Sequence, residues 1–151
     1  MSSPPGSGET DEGQSTLRSQ RRREGRGVVL DSSALLCLLN GEAGAEHVSR
    51  ILPSAIIGAV NLAEVVTKLR EKGLSAEETD EVLGGLHLDV RPFTSAQAAA
   101  TGHLRPATRA LGLSLGDRAC LALAAEIGLA ALSADRGWAK TDVGVEVELI
   151  R

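Results

Sequence analysis

The sequence predicts an α/β protein whose parallel sheet is covered by helices on both faces, and three observations carry that expectation. Short apolar runs suited to buried strands alternate with longer stretches of helical periodicity from Val28 onward. No repeat or low-complexity run interrupts the alternation after the first 27 residues. Phe93 and Trp138 are the only aromatic residues, so Leu, Val, Ile and Ala must build the core, which suits helices packed closely on a sheet. Strand, helix and strand in succession imply right-handed crossovers and parallel neighbours.

Val28, Val29 and Leu30 form the first strand and run into Asp31, Ser32 and Ser33, after which the apolar helical run of Ala34 to Leu39 begins. Gly41 and Gly44 punctuate, and a second amphipathic stretch continues towards Leu52 until Pro53 stops it. Ala55 to Gly58 reads as a short strand. Asn61 is expected to open the next helix, with Leu62, Val65, Val66 and Leu69 on one face and Gly73 at its end. Ser75 and Glu78 have capping-box spacing for a fourth helix, which Gly84 and Gly85 close. Leu88 to Pro92 is the third strand. Thr94 caps an Ala-rich helix that Pro106 bends or breaks. Ser114 begins a helix whose middle is apolar on every side, which predicts a central, buried position. Leu129 to Leu132 forms the fourth strand, a short helix surrounds Trp138, and Val145 to Ile150 alternates as the fifth.

Composition restricts the function classes. Residues 1–27 are rich in Ser, Gly, Pro and charge, too poor in apolar side chains to offset ordering entropy, and are expected to be a disordered tail before a single domain at 28–151. The domain has 11 basic against 16 acidic groups, so bulk charge would not attract a polyanion, whereas bound divalent cations would do so locally. Cys37 and Cys120 lie far apart in apolar runs, as expected for reduced core thiols in a cytoplasmic protein. No apolar run reaches membrane-span length, and no signal peptide is recognisable.

Four acids occupy positions where chemistry is expected. Asp31 ends strand one, Glu64 falls in the first turn of the helix opened by Asn61, Asp117 lies in the first turn of the central helix, and Asp135 follows strand four. Each has an ordinary explanation: Asp31 as a helix cap, Glu64 as the partner of Asn61 or Lys68, Asp117, three residues after Ser114, as an acid at the positive end of a helix dipole, and Asp135 as a turn initiator. If strands one and four are neighbours, however, all four share the carboxyl rim of the sheet, where α/β proteins bind ligands. Such a cluster repels itself unless protons or hard cations such as Mg²⁺ or Mn²⁺ neutralise it, and its natural chemistry is metal-assisted attack of water on a phosphodiester.

Competing motifs fail. Gly112-Leu113-Ser114-Leu115-Gly116 matches a nucleophile elbow by chance, since a helix precedes it and no histidine follows Ser114. His47, His87 and His103 lack zinc spacing, and no phosphate-binding glycine loop is present. A haloacid-dehalogenase-like site needs a second Asp where Ser33 stands.

With VVLDSSALL, NLAEVV, LSLGDRACLALA and LSADRGWA in that order, the sequence resembles the PIN-domain nucleases, and within them the VapC-type toxins of prokaryotic toxin–antitoxin pairs. The resemblance spans residues 28–151. It implies a three-layer α/β/α sandwich with a five-stranded parallel sheet in the order 3-2-1-4-5. Asp31, Glu64, Asp117 and Asp135 match the family's metal-site acids, with Asp31 and Asp135 in the most direct ligand positions. Ser32, Ser33, Asn61 and Ser133 match neighbouring polar positions that would orient them, and Arg118 and Arg136 stand where they would meet RNA phosphate or form salt bridges. The implied activity is an Mg²⁺- or Mn²⁺-dependent endoribonuclease in which activated water attacks in line and a 3′-hydroxyl leaves. The implied partners are an RNA substrate, a second copy in a homodimer and a cognate antitoxin that blocks the site. The alternative from another class is a PIN-like module that holds RNA or protein without cutting. The 27 residues before Val28 depart from the usual pattern, in which such toxins begin just ahead of strand one.

Overall fold

A computed structural model describes residues 27–151, and the expected tail lies, apart from Gly27, outside the described residues. The strands are β1 (Val28–Leu30), β2 (Ile56–Gly58), β3 (Asp89–Arg91), β4 (Ala130–Ser133) and β5 (Val147–Leu149). The helices are α1 (Ser32–Leu39), α2 (Ala45–Ile51), α3 (Ala59–Glu71), α4 (Ala76–Gly84), α5 (Ser95–His103), α6 (Arg105–Thr108) and α7 (Leu115–Ile127), with short 3-10 turns at Leu52–Ser54, Arg109–Leu111 and Arg136–Lys140. All pairings are parallel and the order is β3-β2-β1-β4-β5, as the resemblance implied.

The strands' pleat sends alternate residues to opposite layers. Val29, Ile56 and Ala131 face the layer of α7, packing with Cys120, Leu121, Leu123 and Trp138. Leu30, Ala55 and Leu132 face the other way with Ala34 of α1 and Val48 of α2, while Ile57 joins Leu35, Val65 and Leu69 beside α3. α7 is central as expected, with every residue from Ala119 to Ala124 buried. Both cysteines are free and buried. Among the described residues no helix is long and apolar enough to cross a membrane.

The structure corrects one boundary that matters to the site. α3 begins at Ala59, two residues before Asn61, because extended Gly58 carries β2 into the helix without a loop. Asn61 is therefore inside the helix and not its cap, and Glu64 lies in the second turn. Gly73 ends this helix as expected, in a left-handed conformation (φ 103°) that only glycine adopts readily. Pro106 breaks the Ala-rich segment: α5 stops at His103, and the proline sits in the first turn of α6, where its missing N–H costs least. The capping box expected from Ser75 and Glu78 is formed, and the structure shows a second one between Ser114 and Asp117.

Candidate active site

The site begins where β1 runs out. The Asp31 N–H donates to the Leu132 carbonyl at 3.1 Å, so the first residue past the central strand is still tied to β4. Its side chain turns back as the cap of α1, accepting the Ala34 N–H at Oδ1 (2.8 Å). Ser33 Oγ stands 2.7 Å from Oδ1 and 2.9 Å from Oδ2, and Ser133 Oγ donates to Oδ2 at 2.6 Å. Each serine also accepts a loop N–H, Ser33 from Ala134 (2.9 Å) and Ser133 from Asp135 (3.0 Å). The two hydroxyls also stand 3.2 Å from each other, so Ser33, Ser133 and Asp31 form one small network. Burial to 2% exposure nevertheless pushes the Asp31 carboxyl from 3.8 up to about 6, against the pull of Ser133, Ser33 and the Ala34 N–H and with a contribution from the charge of Asp117.

Glu64 and Asp117 approach from α3 and α7. Asn61 Nδ2 donates both to Glu64 Oε1 and to the Gly116 carbonyl, each at 3.1 Å. Because that carbonyl can only accept, the amide nitrogen must face it, and Oδ1 must point away. Asn61 is 1% exposed, and its Oδ1 has no donor. Lys68, the alternative partner of Glu64, pairs instead with Glu71 at 3.7 Å. Asp117 Oδ2 accepts the Ser114 N–H at 2.9 Å in the capping box at the start of α7. Cys120, fully buried one turn further along α7, is pushed far up by burial and then by the charges of Asp31, Asp117 and Glu64. Asp135 is exposed and joins through its backbone; its carboxylate accepts the Gly137 N–H at 2.8 Å and caps the turn around Trp138.

Three of the four expected orienting residues, Ser33, Asn61 and Ser133, bond the acids or link them to the loops. Ser32 makes no such bond: it is the first residue of α1, half-buried, with no side-chain hydrogen bond among the described residues. The arginines do other work. Arg118 Nη1 donates to the Thr101 carbonyl at 3.1 Å, covering an otherwise open carbonyl in the last turn of α5, and Arg136 Nε donates to the Arg151 carbonyl at 3.3 Å. Sequence reasoning missed Gly116. A Cβ there would collide with the Glu64 carboxylate, yet in the sequence Gly116 is only the last residue of a chance motif.

The donor set is entirely oxygen, none of the four acids is ion-paired among the described residues, and the orphaned Asn61 Oδ1 adds a buried acceptor. Those features fit Mg²⁺ or Mn²⁺, which prefer oxygen and need few protein ligands because they keep water. As placed, no three His, Cys, Asp or Glu side chains among the described residues are close enough to grip one ion. A cation here would be held by one or two carboxylates and water.

Fold and site together define an α/β protein with parallel order 3-2-1-4-5, a buried carboxylate at the end of its central strand, and a glutamate tied through Asn61 to the start of α7, which carries Asp117. Residues 28–144 match the PIN domain among protein-family models, and the chain belongs to that family. No curated protein matches it. Its fold is similar to that of the DNA-bound VapBC of Salmonella typhimurium (20% identity, 83% of this chain and 98% of the other, TM-score 0.65). It is also similar to that of a toxin–antitoxin complex of Klebsiella pneumoniae (18%, 83% and 98%, 0.64) and of VapBC-5 of Mycobacterium tuberculosis (22%, 83% and 98%, 0.55).

Proposed function

We propose that this chain is an Mg²⁺- or Mn²⁺-dependent endoribonuclease acting as the toxin of a toxin–antitoxin pair. The observation that carries the reading is geometric: Asp31 is buried at the end of the central strand, and Asn61 ties Glu64 to the Gly116 carbonyl beside Asp117, with no ion-pair partner for any of the three acids among the described residues. Membership of the PIN family supports nuclease chemistry, and the fold neighbours described as VapBC and toxin–antitoxin complexes support the toxin role.

A bound divalent cation supplies charge neutralisation, attraction for the phosphodiester and activation of water. The chain's residues supply the rest. Asp31, fixed by Ser33, Ser133 and the Ala34 N–H, offers its oxygens in the ionised form above about pH 6. Asn61 holds Glu64 through Oε1 and leaves Oε2 without a hydrogen bond among the described residues, free to accept a proton from water. Asp117, bound through Oδ2, leaves Oδ1 without a hydrogen bond among the described residues. Asp135, on the loop after β4, completes the acids that the family pattern requires. The same reading includes a homodimer and an antitoxin segment lying over the rim.

The test is cleavage of a mixed RNA pool by the full chain. Cutting with Mn²⁺ or Mg²⁺ that disappears with EDTA, with Asp31→Asn and with Asp117→Asn, while circular dichroism stays native, is the expected result. RNA binding without cutting under all conditions would support the non-cleaving module, and undiminished cutting by both variants would remove the site assignment.

A further inference from the structure

Gly116 stands in the second position of α7, where nothing about the helix calls for a glycine: it is buried in a regular α-helix. Its neighbours explain it. A Cβ built on Gly116 would run into both carboxylate oxygens and Cδ of Glu64, and its carbonyl accepts the Asn61 amide that also holds Glu64 Oε1. The missing side chain and the carbonyl of one residue thus bear on the same acid. We propose that Gly116 is a positioning residue: the space left by its missing Cβ is the seat of the Glu64 carboxylate, and the Asn61 amide locks the carboxylate into it. The proposal rests on Glu64 being one of the acids of the nuclease site, and it extends that reading to a residue outside the acid pattern.

The atoms a methyl group would strike are the far end of a flexible side chain, so Gly116→Ala is expected to leave the fold intact and to move Glu64. Alanine also favours helix over glycine by up to about 1 kcal/mol, which works against any loss of stability. The consequence falls on the carboxylate, which must leave its seat and its bond from Asn61.

Shortening the acid supplies the control. Glu64→Asp withdraws the carboxylate by one methylene, so a methyl at position 116 no longer meets it. The two substitutions should therefore be strongly non-additive, as expected for residues in direct contact. The experiment uses the full chain as wild type, Gly116→Ala, Glu64→Asp and the double variant, with two readouts. In the metal-free protein, Gly116→Ala is expected to shift the Asn61 side-chain amide signals in NMR spectra, and to shift them several-fold less in the Glu64→Asp background. In Mn²⁺-dependent RNA cleavage, Gly116→Ala is expected to lower kcat at least tenfold in the wild-type background and less than twofold in the Glu64→Asp background. Equal effects of Gly116→Ala in both backgrounds, or none in either, would overturn the proposal. If the wild type cuts no RNA, the nuclease reading fails, while the metal-free NMR comparison still decides whether Gly116 seats Glu64.

Discussion

Burial holds the Asp31 carboxyl near 6 in the folded protein, whereas the unfolded chain keeps it near 3.8. Folding therefore favours the protonated acid. The stability this residue contributes in metal-free protein is complete below about pH 4 and is lost as the pH rises through about 6. A shift of two units, at about 1.4 kcal/mol each, corresponds to roughly 3 kcal/mol at neutral pH. Asparagine in its place keeps an acceptor for the Ala34 N–H and one serine, and its amide can donate to the other serine, whose oxygen has a second lone pair. Asp31→Asn is therefore expected to be the more stable protein at pH 7 in EDTA and to lose that advantage by pH 4. Urea unfolding of both proteins across this range checks it, and a stability difference that does not vary with pH would contradict the burial argument. The functional reading of Asp31 and its capping of α1 are compatible because they use different electron pairs on the same two oxygens.

At the scale of elements, the site depends on α3 and α7 arriving at the rim with their first turns side by side, and on β1 lying against β4. The burial of α7 was legible in its all-apolar middle, whereas the adjacency of β1 and β4 came only with the resemblance, because apolar strands carry no local mark of which neighbour they take. Nor was the start of α3 legible. Asn61 has the composition of a cap, and only the absence of a loop after β2 moves it inside the helix and makes its amide a bridge to Gly116. Gly116 was illegible for a related reason: a glycine chosen for what lies against it leaves no local pattern. The expected roles of Arg118 and Arg136 also depended on direction, which spacing does not give. The start of α7 allows a separate test. Asp117→Asn can keep the bond from the Ser114 N–H through its amide oxygen, so the helix cap survives while the charge goes. Because that charge helps to hold the Asp31 carboxyl up, its pKa is expected to fall below about 6 in this variant. NMR titration of the Asp31 side chain in metal-free protein reads the change, and an unmoved pKa would mean that the two acids do not share a site.

For the whole molecule, the decisive feature is that the folded part carries an excess of acid, 16 groups against 11 basic ones, and that Asp31, Glu64, Asp117 and Asp135 have no ion-pair partner among the described residues. On the proposed function, fold stability and metal binding are then opposed in the absence of the ion and aligned in its presence. Without a cation, ionised Asp31 destabilises the fold, and Asp117 adds repulsion. With one, the same charges become binding energy available only to the folded chain, because the unfolded chain separates β1, α3 and α7. Linkage sets the magnitude: free Mn²⁺ at a hundredfold its Kd stabilises the folded state by about 2.7 kcal/mol, a rise in Tm on the order of 10 °C for a domain of this size. Wild-type protein at pH 7 is thus expected to be less stable than Asp31→Asn in EDTA, and to gain on it or overtake it as Mn²⁺ is added. Glu64→Gln, which retains an acceptor but loses a charge, should respond less than wild type. Calorimetric scans over a Mn²⁺ series distinguish this from a general salt effect, since monovalent salt at equal ionic strength screens the repulsion without bringing the two proteins' curves together. If wild type and Asp31→Asn rise in parallel with Mn²⁺, the ion is binding elsewhere, and the rim acids serve only the fold.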